Sequence, residues 1–153
     1  MPAMQARGPF AGLPIPAKDI VMADGQSLTL GDTTVTFYMT PGHTKGDMSA
    51  IYKVTDNGMP RCGGLFRRHR RRTRCREFAR AQIASLERWK AIAAKAGVDV
   101  NITNHPLHSE ALEKEELLRY RLPGAPNPFV LGKSTYQRHI TQSRKRRRCR
   151  WAG

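Results

Sequence analysis

The residues best placed for chemistry lie in the run Thr40-Pro41-Gly42-His43-Thr44-Lys45-Gly46-Asp47-Met48-Ser49. A neutral imidazole ligates divalent metals and exchanges protons near neutral pH, so His43 is the first candidate. Pro41 has no N–H to give a sheet ladder, and Gly42 accepts dihedrals that other residues avoid. The strand that precedes them therefore stops at Thr40 and presents His43 on a loop at its end, where metal-binding and catalytic residues often sit. Taken alone, a loop histidine is in most proteins an ordinary surface residue, so its neighbourhood has to carry the argument.

The elements around it can be read from pattern. Thr33 to Met39 is β-branched and aromatic, with Val35, Phe37 and Met39 alternating against Thr34, Thr36 and Tyr38, which predicts a strand with one face toward a core. Ile20 to Leu30 predicts two short extended pieces around the Asp24-Gly25 turn. After the His43 loop, Ser49 to Val54 predicts another strand, ended by Asp56-Asn57-Gly58. Ile83, Leu86 and Ala93, flanked by Phe78, Trp89 and Ile92, form an apolar stripe at helical spacing from Glu77, and Gly97 is a fitting stop. Val98 to Ile102 predicts a buried strand that delivers His105. Ser109 is placed to cap a helix from Glu110, with Leu112, Leu117 and Leu118 as its apolar contacts. Lys133 to Thr141 predicts a short terminal helix.

The chain has 153 residues and a net charge of +15, enough for one domain with a core and a sum that usually points to nucleic acid. Seven arginines fall within residues 67–76, and six basic residues lie between Arg144 and Arg150. Without those 13, the other 14 basic residues face 12 acidic ones, about +2. The basicity therefore belongs to two local runs. Residues 61–76 are expected to be an irregular basic insert, 1–18 an irregular lead-in, and 143–153 a disordered tail, leaving 19–142 as the domain. Three cysteines (Cys62, Cys75, Cys149) form no C-x-x-C pair and support neither a disulfide framework nor a zinc knuckle. No apolar run reaches membrane-helix length, and no secretory signal is visible.

Strand, T-P-G-H-T-x-G, serine and a further apolar strand together resemble the metallo-β-lactamase fold superfamily. Val98 to Pro106 resembles that family's last strand and the histidine after it. Arg61-Cys62-Gly63-Gly64-Leu65 is similar to the double-glycine stretch of its third subclass, which uses no cysteine ligand there. Asn127-Pro128-Phe129 is similar to a loop of the same group. The resemblance covers roughly Asp19 to Gly58 and Glu77 to Ile140.

It implies an α/β chain equivalent to the C-terminal half of a four-layer αβ/βα sandwich, a mixed sheet with outer helices. It also implies His43 and His105 as zinc-ligand positions, with Gly42, Thr44 and Ser49 shaping the site, two zinc ions in a complete site, and small-molecule substrates such as β-lactams. Relatives are commonly exported. Lys45-Gly46-Asp47-Met48-Ser49 departs from the family's P-G-x-x-S and leaves the substrate open. The H-x-H-x-D-H loop that supplies most family ligands does not occur among His43, His69, His105, His108 and His139. The expectation is a chain inactive alone, with an exposed sheet face able to associate. Two other readings stand beside it. The arginine runs could bind nucleic acid without sequence preference. Alternatively, rich as they are in Arg, Cys, Gly and Trp, they could be shifted reading frames of GC-rich coding DNA, which resequencing that DNA would decide.

Overall fold

The computed structural model describes residues 20–42, 44–66, 76–104 and 110–148, with backbone only at 76, 77 and 143–148. Five strands form one mixed sheet in the order β1-β2-β3-β4-β5. They are β1 (Ser27–Leu30), β2 (Thr33–Met39), β3 (Met48–Asp56), β4 (Met59–Leu65) and β5 (Val100–Ile102). Three helices are described: α1 (Arg76–Ala96), α2 (Ala111–Arg119) and α3 (Lys133–Arg148). Neighbouring strands run antiparallel except β4 and β5, which are parallel with α1 lying between them in the chain. No described helix is long and apolar enough to cross a membrane.

Turn chemistry fixes the hairpins. Leu30 pairs with Thr33 across Gly31-Asp32, and Gly31 has φ of 61°. Asp56 pairs with Met59 across Asn57-Gly58, both at positive φ (48° and 76°), as a twisted two-residue hairpin turn requires. Gly97 ends α1 at φ 70°. Its N–H reaches the Ala94 carbonyl and the Val98 N–H reaches Ala93, the double capping pattern of a left-handed glycine.

One sheet face packs on α1 and α3. Phe66, Leu86, Trp89, Ala93, Val98, Tyr136 and Ile140 form the buried cluster, with Tyr38, Ile51, Cys62, Ile92 and Leu131 against it. The Trp89 indole N–H donates to the Tyr136 hydroxyl at 3.0 Å, so the two largest buried side chains satisfy each other. Burial pushes the Tyr136 phenol far above its ordinary range.

Several expectations are corrected. Residues 61–65 are strand, not irregular insert: Met59–Leu65 lies between β3 and β5. Proline, arginine and two glycines hide it from propensity. A Cβ on Gly64 would sit 2.6 Å from Val98 Cγ1 and 2.8 Å from the Tyr136 hydroxyl, and one on Gly63 would be 3.3 Å from Tyr52 on the other face. The glycines let core and sheet close on both sides. In β2 it is Tyr38 that faces the helices, edge-on to Trp89 at 6.3 Å. Val35 and Phe37 lie on the opposite face, with Leu28 of β1 across from Val35. Ile20 to Ala23 forms no strand.

The helix after β5 begins at Ala111, with Glu110 at its N-cap in a left-handed conformation and no side-chain cap; the expected cap, Ser109, lies outside the described residues. Leu112, Leu117 and Leu118 are 50%, 64% and 38% exposed rather than packed. The last helix continues to Arg148, so 143–148 are helical where disorder was expected. Residues 1–19 and 149–153, and the arginine run from 67 to 75, lie outside the described residues.

Candidate metal centre

The turn between β2 and β3 is closed at its neck. The Thr40 N–H donates to the Asp47 carbonyl at 2.8 Å, and the hydroxyls of Thr40 and Ser49 meet at 2.7 Å. Thr40, Asp47 and Ser49 are all buried. Inside the turn, the Asp47 carboxylate accepts the Thr44 N–H at 3.0 Å on one oxygen and the Thr44 hydroxyl at 2.8 Å on the other. The Gly42 N–H reaches the Thr44 carbonyl at 3.2 Å. A loop of this kind, with its buried polar atoms paired internally, has a defined shape.

Helix α1 braces the same segment from outside. Gln82, Ser85 and Arg88 recur every three residues, so they share one side of the helix. Gln82 lies against Gly42, where an added Cβ would come within 3.0 Å of its Cβ and Cγ. The Ser85 hydroxyl donates to the Pro41 carbonyl at 2.7 Å. Arg88 donates to the Met39 carbonyl at 2.6 Å and pairs with Asp24, whose carboxylate also accepts the Met39 N–H at 2.7 Å. The Arg88 hydrogen bond, aided by that of Met39, holds the Asp24 carboxyl below its ordinary value.

Of the residues singled out from sequence, Gly42, Thr44 and Ser49 are brought together in this turn. His43 and His105 lie outside the described residues. Their flanks are described: Gly42 and Thr44 on one side, and Thr103 and exposed Asn104 beyond β5 on the other. Phe37, Ala50, Leu65 and Ile102 stand in one row across β2 to β5, so both flanks leave the sheet at the same rim. Three strand spacings of about 4.8 Å separate β2 from β5 there, roughly 14 Å.

Among the described residues no three His, Cys, Asp or Glu side chains gather as a metal site. Asp47 has both carboxylate oxygens engaged by Thr44, and the Cys62 thiol is raised above its ordinary value, mainly by burial. Neither suits a ligand, so the described side chains alone do not fit zinc. His139 is half-buried on α3. Gln82, Ser85 and Arg88, and the holding roles of Asp24 and Asp47, were not expected from the sequence. The polar i, i+3 stripe beside the apolar stripe of α1, and an aspartate three residues after Thr44, were the available signals.

The fold matches half of the metallo-β-lactamase fold. No family model matches the chain, and no curated protein matches it. Solved structures do. The chain is similar to BJP-1, a subclass B3 metallo-β-lactamase of Bradyrhizobium japonicum, at 25% identity over 90% of this chain and 53% of that one, with a TM-score of 0.62. FEZ-1 metallo-β-lactamase from Legionella gormanii superposes at a TM-score of 0.64 with 21% identity, over 84% of this chain and 49% of its own. The class B3 di-zinc enzyme LRA-12 from an Alaskan soil metagenome gives 0.62 at 20% identity, over 88% and 51%. The chain thus spans about half the length of the solved structures it matches.

Proposed function

We propose that the chain is the C-terminal half of a zinc-dependent hydrolase domain of the subclass B3 lactamase kind, with His43 and His105 at ligand positions of a dinuclear site. The carrying observation is the Thr40–Ser49 turn: its carboxylate, hydroxyls and N–H groups are spent on holding the loop, and α1 fixes it from outside. Such over-determination suits a loop that must present one residue in one direction. The shared row from Phe37 to Ile102 supports the pairing with the β5 loop.

Zinc in a complete site would lower the pKa of a bound water to about 7 and so supply hydroxide for attack on an amide or ester such as a β-lactam. One histidine per metal cannot hold zinc against water, so the ligands of an H-x-H-x-D-H loop must come from elsewhere. The expected result for the purified chain is weak zinc binding and no nitrocefin turnover. His43→Ala and His105→Ala each weaken that zinc binding in competition with a chromophoric chelator. Turnover with stoichiometric zinc would refute the inactivity, and zinc affinity indifferent to both substitutions would refute the ligand assignment.

A further inference from the structure

The sheet is apolar on both faces, and α1 and α3 cover one of them, the face of Tyr38, Ile51 and Cys62. Strand alternation and register put Leu28, Val35, Phe37, Ala50, Tyr52 and Ile102 together on the other. The Tyr52 ring lies across Gly63 there, 3.3 Å from where a Cβ would be. Among the described residues no helix covers this face: α2 has no buried residue, and the segment after it meets the sheet at the Asp56 corner through Arg121 and Asn127. The two charged strand residues on the face, Arg61 and Asp56, are already paired with Asp99 and Arg121.

Four strand spacings make the face about 19 Å wide, and Met48 to Val54 makes it about 20 Å long, roughly 400 Å² if it were flat. Two such faces start at about 800 Å² before side-chain relief is counted, and with it they pass the roughly 1,000 Å² that a specific interface needs. We propose that two copies of this chain dock through this face, sheet against sheet, as a four-layer α-β-β-α dimer. A second copy suits the patch because a two-fold pair sets the same surface on itself. Here that places apolar side chains on apolar side chains, and the existing ion pairs leave no unmatched charge to bury. Length agrees as well: the chain spans 49–53% of the solved structures it matches, so two copies supply about one relative's length. The dimer needs no metal and stands apart from the zinc reading.

The test is sedimentation equilibrium of the full chain from about 5 to 200 µM, with EDTA present so that no metal can bridge two chains. The expected result is a monomer–dimer equilibrium that closes at twice the chain mass. Phe37→Lys raises the dimer dissociation constant about 100-fold, because a substitution at a two-fold interface counts twice. Should Phe37→Lys disturb folding by circular dichroism, Leu28→Lys with Met59→Lys tests the same face at positions 43% and 60% exposed, with a rise of about tenfold expected. Leu117→Lys, on the exposed side of α2, leaves the dimer unchanged. A chain monomeric at 200 µM, whose face then awaits a different partner, would overturn the proposal. So would association that grows past two copies, a dimer indifferent to the face substitutions, or one broken by Leu117→Lys.

Discussion

The two ends of the sheet are held by different physics. At the rim, the Thr40–Ser49 turn is fixed by neutral hydroxyl and peptide hydrogen bonds and by the single carboxylate of Asp47, with one exposed ion pair, Asp24–Arg88, outside them. At the far end, charge does the anchoring. Asp99 accepts the Cys62 N–H at 2.9 Å and Arg61 at 3.1 Å, while Asp56 accepts Arg121 at 2.6 Å and Asn127 at 3.1 Å. Those two clusters bind the chain before β5 and the 121–129 loop to the β3–β4 hairpin. Ion pairs are strong but respond to pH, and their fields reach neighbouring groups. Short neutral bonds fix direction with less field.

The largest effect is expected at the far end. Asp99→Ala strips a buried carboxylate from Arg61 and from the Cys62 N–H, and should cost about 3 kcal/mol in urea unfolding. At the rim, Ser49→Ala removes the partner of the buried Thr40 hydroxyl and should cost about 1–2 kcal/mol. The double change with Thr40→Val should cost less than the two single changes added together. Additivity would mean that the hydroxyl pair is not the interaction that matters.

Ser85→Ala should cost about 1 kcal/mol. Its mark is local: hydrogen exchange quickens at Gly42 and Thr44 and not at Cys62. Equal quickening at both ends would erase the distinction between them.

The smallest effect is a pH difference. The hydrogen bond from Arg121, then that from Asn127, holds the Asp56 carboxyl below its ordinary value. A depressed carboxyl stabilises the fold above its unfolded pKa, about 3.9, and that contribution is lost as pH falls through the folded value. The melting-temperature gap between wild type and Asp56→Asn should therefore narrow as pH drops from 5 toward 2. A gap constant over that range would show that the carboxylate's charge contributes nothing.

Much of this fold is visible in local chemistry. Asn57-Gly58 and Gly97 ended their elements where their dihedrals demanded, and the stripe through Leu86, Trp89 and Ala93 is the buried side of α1. Strand β4 is not visible, because Gly63 and Gly64 are required by contacts with Val98, Tyr136 and Tyr52, none of them local. The exposed leucines of α2 mislead for the opposite reason: an apolar pattern states a capacity for burial without supplying anything to bury it. Half of the Thr40–Ser49 turn was legible too. Pro41-Gly42 and Thr44 mark the turn, whereas the brace from Gln82, Ser85 and Arg88 becomes meaningful only when α1 lies across it.

By itself, then, the sequence determined where β2, β3 and α1 lie and stop, because turns, caps and periodicity are matters of neighbouring residues. The tertiary structure decided which face of β2 meets the helices, why β4 needs two glycines, and what holds the Thr40–Ser49 turn. Those depend on contacts between residues tens of positions apart, and no local preference encodes them.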